Sequence, residues 1–320
     1  MCRAYGPPET VEVAEVDAPV LGAGSARVRV RAAAVNFPDV LIVADLYQLH
    51  VPTPFIPGSE FAGEVVEVAP GVTAVKPGQR VFGSAMVGAF AEEVVAPVAS
   101  LTPTPEGVDD AVAAAFGVAH RTAYHVLRSV AEVGEGDDVV VLGAGGGVGL
   151  AAVQLAAILG GRVTAVASST EKLAAARQAG ATHLVDHRSV DLRAALRDLH
   201  PGGTAAVVDP VGGALAEPAL RSLAWGGRFV TVGYASGEIP RIPLNLVLLK
   251  GVRVLGFEFR SFAAHAPGEM RRNETELMAL LAAGRARPHI GATFGLDRAA
   301  DALRRLADRR AVGKVVITVE

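Results

Sequence analysis

The chain holds one cysteine, Cys2, among 320 residues. That excludes an intramolecular disulfide framework and any zinc site built from several cysteines. Lysine is also scarce: Lys76, Lys172, Lys250 and Lys314 are the full set. No long Lys/Arg run exists and the net charge is −3, so the electrostatic footprint of a nucleic-acid binder is missing. Aromatic residues make up only 5%. Met1–Pro8 carries one arginine and lacks the apolar core of a signal peptide, so a cytoplasmic protein is expected.

What is abundant is apolar. Hydrophobic residues reach 51% and the mean hydropathy is +0.36, far from a disordered composition. The length suggests about two domains. Val139–Gly161 runs for 23 residues without a formal charge, nominally enough to span a bilayer. Its glycine cluster at Gly143, Gly145, Gly146, Gly147 and Gly149 breaks such a helix near its start. A strand, a turn and a buried helix suit the segment better.

The N-terminal third reads as β. Ala26–Val35 opens with Val28 and Val30 alternating against Arg27, Arg29 and Arg31, the pattern of a half-buried strand. Phe61–Ala69 and Gln79–Gly83 follow, punctuated by Pro57-Gly58, Pro70-Gly71 and Pro77-Gly78. Short strands with such turn signals predict a partly open barrel or sandwich. After about Gly117, strand-like runs alternate with helical stretches: Val139–Leu142, Arg162–Ala167, Thr182–Asp186, Ala205–Asp209, Arg228–Gly233 and Val252–Phe257. Runs of this kind, apolar throughout and separated by helices, predict a doubly wound parallel sheet in an α/β protein. The expected domains are 1–117, 118–257, and a tail, 258–320, that returns to the first.

The strongest motif follows the first parallel strand, in Gly143-Ala144-Gly145-Gly146-Gly147-Val148-Gly149. Read as a dinucleotide fingerprint, its key positions are Ala144, Gly146 and Gly149. The middle glycine lets backbone approach a pyrophosphate and the last lets helix pack on strand. Helix N-terminal amides, with Gly147 and Val148, then face the anion. At the end of the next strand an NAD site usually carries an acid. Here stand Ala167, Ser168 and Ser169, so a 2′-phosphate meets no repulsion. Lys172, His187 and Arg188 can supply positive charge, which favours NADPH over NADH. Ser168 also reads as a helix cap with Glu171 completing a capping box, which leaves phosphate binding open.

These residues, with Asn36-Phe37-Pro38-Asp39, Pro57-Gly58-Ser59-Glu60-Phe61-Ala62-Gly63-Glu64, Asp209-Pro210-Val211-Gly212-Gly213 and Gly313-Lys314-Val315-Val316, resemble the medium-chain dehydrogenase/reductase superfamily. The chain is most similar to its zinc-free NADPH:quinone oxidoreductase branch, the ζ-crystallin-like proteins. One departure is the start, where only Met1–Tyr5 stands in place of the usual first strand. The resemblance implies a Rossmann domain and a GroES-like barrel. It places Asn36, Ser59 and Val118 where alcohol dehydrogenases hold catalytic zinc, and none is a usual zinc ligand. It implies that Asn36 and Thr122 lie near the nicotinamide and that Tyr47 lines the substrate cleft. Gly233, Phe257 and Arg310 complete the expected cofactor set. The expected activity is zinc-independent hydride transfer from NADPH to a quinone. An enone or enoyl-thioester reductase with Tyr47 as proton donor, and a non-catalytic NADPH-binding protein, are the alternatives. Relatives pair subunits through the edge carrying Arg228–Val232 and Val252–Phe257, so a homodimer is expected, with neither nucleic acid nor membrane as partner.

Overall fold

The computed structural model describes residues 1–319 of the chain. They divide into two compact units, 1–118 with 287–319, and Ala119–Ala286. Among the described residues, no helix is long and apolar enough to cross a membrane.

The first unit is built on strands β1 (Ser25–Val35), β2 (Glu60–Val68), β3 (Arg80–Ser84), β4 (Glu93–Pro97) and β5 (Leu101–Pro103). In β1 the alternation read from the sequence holds: Val28 and Val30 are buried while Arg29 and Arg31 face water. Its register against β2 shifts between Arg27 and Val28 and again between Val30 and Ala32. Such bulges bend a strand. The bent β1 pairs with β4 over Ser25–Arg29 and with the C-terminal strand over Ala32–Val35. Helix α1 (Phe37–Val43) follows β1 directly, with Asn36 as its N-cap residue. The segment Met1–Tyr5 forms no strand; Cys2 makes isolated bridges to Phe55 and Val11.

Helix α2 (Asp110–His125) carries the chain past the unit boundary. The second unit then alternates β6 (Asp138–Leu142), α3 (Gly147–Ile158), β7 (Arg162–Ala167), α4 (Thr170–Gln178), β8 (His183–Asp186), α5 (Leu192–Leu199), β9 (Thr204–Asp209), α6 (Ala216–Arg221), β10 (Leu223–Thr231), α7 (Leu244–Lys250) and β11 (Arg253–Gly256). All five pairings are parallel, in the order β11-β10-β9-β6-β7-β8. That is the doubly wound sheet, and its order reverses between β6 and β9, where such sheets bind ligands. Val139–Leu142 are all fully buried, as a strand covered on both faces requires.

The return to the first unit begins at Arg287 rather than at residue 258. Helices α8 (Phe259–His265) and α9 (Pro267–Ala282) stay with the second unit because α9 is bonded to the end of α2 and to the turn that follows it. Glu274 accepts from Arg121 at 2.9 Å, and Glu276 accepts from Tyr124 at 2.7 Å and Arg128 at 3.1 Å. After Arg287 come β12 (Ile290–Gly295), the amphipathic α10 (Ala299–Ala307) and β13 (Lys314–Thr318), which pairs with β1.

Candidate active site

In the first unit, the end of β1 and the start of β2 bring charged and polar side chains together in the core. Glu60 is fully buried, Asp39 is 1% exposed, Lys314 4% and Asn36 7%. The Lys314 ammonium donates to Asn36 Oδ1 at 2.6 Å and to Glu60 Oε2 at 3.0 Å. Asn36 Nδ2 donates to the same Glu60 oxygen at 3.0 Å and lies 3.4 Å from Ser59 Oγ. The second Glu60 oxygen accepts from the Val118 backbone N–H at 2.6 Å. One carboxylate therefore ties together the neighbourhood of Asn36, Ser59 and Val118. Deleting one member of a buried ion pair costs about 3–5 kcal/mol, because the other charge is left without a partner.

Asp39 sits beneath the N-terminus of α1, where its Oδ2 accepts from Asn36 N–H at 2.7 Å. Its Oδ1 is buried with no hydrogen-bond partner. Burial pushes its pKa up to about 6, against the opposing pull of Ser59, Asn36 N–H and Lys314. Tyr47 is half-buried and packs against the first unit's core. Arg310 is an exposed residue of this unit, 4.0 Å from Asp308.

The second unit holds the glycine loop. Gly146 is the N-cap residue of α3, and Gly146, Gly147 and Val148 are half-buried. Ala144 N–H donates to Val166 O at 3.0 Å, fastening the loop to β7. The glycines serve different ends. A Cβ on Gly149 would stand 2.1 Å from Gly143 O, so helix and strand approach as closely as the fingerprint demands. A Cβ on Gly145 would meet the Lys172 stem at 2.4 Å, which places that lysine across the loop. A Cβ on Gly146 would meet nothing closer than Gly143 O at 3.6 Å. Packing within the chain does not require glycine there.

Ser169, not Ser168, caps α4, accepting from Lys172 N–H at 3.3 Å. The capping box with Glu171 therefore does not form; the helix begins one residue later than that pattern needs, and Ser168 is half-buried beside the cap. His187 N–H donates to Ala167 O at 3.2 Å, at the end of β7. Burial holds the His187 imidazole below its usual range, and Arg188 and Lys172 push the same way against Asp186. Gly233 follows β10 and is half-buried. Asp209, at the end of β9, accepts from the Val211 and Gly212 N–H groups at 2.8 Å and shapes that turn.

Thr122 is half-buried on α2, one turn before the fully buried His125. Asn273 Nδ2 donates to His125 Nδ1 at 3.1 Å, so the ring proton lies on Nε2, which donates to Glu274 Oε1 at 3.1 Å. Phe257 is buried and stacks on this ring at 6.2 Å. Sequence reasoning missed Glu60 and Lys314 as members of the site. The available signal was one of four lysines opening an otherwise apolar strand.

Comparison with known proteins gives two family matches. The zinc-binding dehydrogenase family covers residues 147–281 and the alcohol dehydrogenase GroES-like domain covers 22–106. A quinone oxidoreductase-like protein 2 homolog of Nematostella vectensis is 35% identical over 323 residues, spanning 100% of this chain and 88% of that protein. A mycobacterial protein solved in complex with NADPH has a TM-score of 0.91 at 31% identity, over 99% of this chain and 98% of that one. The Escherichia coli quinone oxidoreductase solved in complex with NADPH has a TM-score of 0.89 at 26% identity, over 99% and 98%.

Proposed function

The chain belongs to the quinone oxidoreductase-like branch of the medium-chain dehydrogenase/reductase superfamily, and from that premise we propose that it is an NADPH-dependent reductase of quinones. The observation that carries the reading is Gly146, a glycine that the chain's own packing leaves unexplained and an approaching pyrophosphate explains. NADPH-bound relatives of the same fold support the choice of cofactor. So does the absence of an acid at Ala167–Ser169, with Lys172 and His187 at hand for a 2′-phosphate.

When bound, NADPH supplies a hydride equivalent. The chain's part is to bind, orient and exclude water. Amides of Gly146–Val148 at the head of α3 would hold the pyrophosphate, with Ala144 and Gly149 setting the loop. Ser168, Ser169, Lys172 and His187 would take the adenosine end; Gly233 and the backbone of Phe257 would take the nicotinamide end, with Arg310 the outlying member of the cofactor set. In the first unit Asn36 would donate a hydrogen bond to the carbonyl oxygen, with Ser59 beside it, and Tyr47 would shape the quinone pocket; in the second, Thr122 would orient the ring. An electron-poor quinone accepts hydride without strong acid catalysis, and one solvent proton completes the hydroquinone.

The residues do not fit zinc. Asn36, Ser59 and Val118 offer an amide, a hydroxyl and an aliphatic chain, and the Lys314 ammonium already lies 2.6 Å from the Asn36 oxygen. Among the described residues no three His, Cys, Asp or Glu side chains gather as a metal site. We propose further that the chain works in the cytoplasm as a homodimer joined through the β11 edge.

The test is an NADPH-oxidation screen over quinones, enones and enoyl thioesters, with wild type and Tyr47→Phe. Quinone turnover that survives Tyr47→Phe is the expected result. Turnover confined to enoyl substrates and lost in Tyr47→Phe overturns it in favour of an enoyl reductase.

A further inference from the structure

Lys314 Nζ carries three hydrogens and no lone pair. It meets three acceptors, Asn36 Oδ1 at 2.6 Å, Glu60 Oε2 at 3.0 Å and Val35 O at 3.3 Å. Only one orientation of the Asn36 amide is compatible with this. Its oxygen faces the ammonium and its nitrogen faces the Glu60 carboxylate. The flipped amide would set NH2 against NH3⁺ and a carbonyl oxygen against a carboxylate. One Nδ2 hydrogen goes to Glu60 Oε2 at 3.0 Å. The other has only long partners, Ala34 O at 3.3 Å and Ser59 Oγ at 3.4 Å. Both exceed the usual N–H···O range, so an oxygen at normal distance outcompetes them.

We propose that Glu60 and Lys314 are positioning residues that lock Asn36 as a hydrogen-bond donor, committing this site of the first unit to ligands that present a carbonyl oxygen. Every residue involved lies in that unit. The inference deepens the quinone-reductase reading and rests on it for the identity of the carbonyl. A donor fixed by a buried charge pair does not reorient as negative charge grows on that oxygen, which is how a preorganised site strengthens toward the transition state. Ser59 accepts from Asn36 and turns its hydroxyl to Asp39, which leaves Asn36 as the donor for that oxygen.

Removing Lys314 alone strands the Glu60 charge and endangers folding. The informative variant is the neutral pair Glu60→Gln/Lys314→Met, with Lys314→Arg as the conservative control. The measurements are NADPH affinity by fluorescence, the dissociation constant of 1-tetralone (an aryl ketone without quinone redox chemistry), and kcat and KM for 1,4-naphthoquinone. In the neutral pair, NADPH affinity is expected to hold while tetralone affinity and naphthoquinone kcat/KM fall about tenfold, the loss of one oriented hydrogen bond. Lys314→Arg is expected to restore most of both. Unchanged tetralone affinity and turnover in a folded neutral pair overturn the proposal. If the neutral pair does not fold, the wild-type Asn36 side-chain ¹⁵N amide, identified by its loss in Asn36→Asp, decides. A shift of one Nδ2 hydrogen on tetralone addition supports the donor lock, and no shift overturns it. Tetralone binding through Asn36 in a wild type that reduces no quinone supports the lock while refuting the quinone reading.

Discussion

Gly149 and Gly143 meet across the loop so closely that a Cβ on the first would lie 2.1 Å from the carbonyl oxygen of the second. Gly146, three residues away, has its nearest such neighbour at 3.6 Å. The two glycines therefore make opposite predictions. Gly149→Ala has to push helix α3 off strand β6 and is expected to destabilise the second unit by about 1–3 kcal/mol, the range for overpacking, while abolishing NADPH binding. Gly146→Ala is expected to stay within about 1 kcal/mol of wild type, the cost of alanine at an N-cap. Its NADPH dissociation constant should nevertheless rise at least about tenfold, because the methyl occupies the pyrophosphate's approach. Thermal denaturation and NADPH fluorescence titration on both variants check this. Equal effects of the two substitutions would refute it.

Lys172 lies across Gly145, and His187 lies at the end of β7 with its imidazole held below its usual range by burial, and by Arg188 and Lys172 against Asp186. A 2′-phosphate arriving there opposes those cations and draws a proton onto the ring. NADPH binding then takes up a proton, so its affinity should rise as pH falls from 8 to 6, while NADH affinity stays level. His187→Gln should flatten that slope. Lys172→Met should weaken NADPH by about 10- to 100-fold, the worth of a charged hydrogen bond, and leave NADH unchanged. Dissociation constants for both cofactors across the pH series provide the check; parallel NADH and NADPH curves would remove His187 and Lys172 from the phosphate site.

Much of this was readable before the structure, and what was not has a physical reason. Strand β7 coincides with the run Arg162–Ala167, and β9 and β13 lie within a residue of their apolar runs, because parallel or doubly covered strands need unbroken apolar sequence. Leu244–Lys250, apolar and flanked by strands, folds as helix α7. Pro243 precedes it and Gly251 ends it in the left-handed conformation. Helix α2 escaped notice although its signals were present: Asp109 stands at the N-cap position, its carbonyl accepting from Ala113 N–H, and alanine-rich sequence favours helix. The Glu60–Lys314 pair joins residues 254 positions apart. No local pattern marks such a pair; only the strand order that lays β13 against β1 brings it together. The late return at Arg287 depends likewise on ion pairs between α2 and α9, which periodicity does not report.

Asp39 makes the stability of the first unit depend on pH. Its folded value of about 6 lies above the ordinary carboxylate value of 3.8, so between those limits the folded chain holds a proton that the unfolded chain has released. The folded state is therefore favoured at low pH, and that contribution is lost as pH rises through about 6. For a fully buried group, a rise from 3.8 to about 6 corresponds to about 3 kcal/mol at most. Asp39→Asn keeps an oxygen for Asn36 N–H and removes the titration. The expected outcome is a wild-type urea midpoint that falls between pH 4.5 and 7.5 relative to Asp39→Asn. A constant difference between the two proteins over that window would contradict it.

The β11 edge has a single strand neighbour, β10, and beside it the surface is unusually apolar. Leu244, Leu248 and Leu249 of α7 are 80%, 79% and 72% exposed, Trp225 is 81% exposed and Val254 of β11 is 44% exposed. An open strand edge flanked by exposed leucines is an aggregation hazard in a lone protomer. A second copy docked on the same edge pairs the free backbone groups and covers the leucines symmetrically. Burying each leucine favours association by about 1.5–3 kcal/mol. Light scattering should then give about 66 kDa, twice the 32.8 kDa chain. Leu248→Glu with Leu249→Glu places like charges face to face across the two-fold axis and should yield a monomer that still binds NADPH, since both residues lie outside the glycine loop. A wild type that stays monomeric at micromolar concentration would leave the exposed leucines for some other partner.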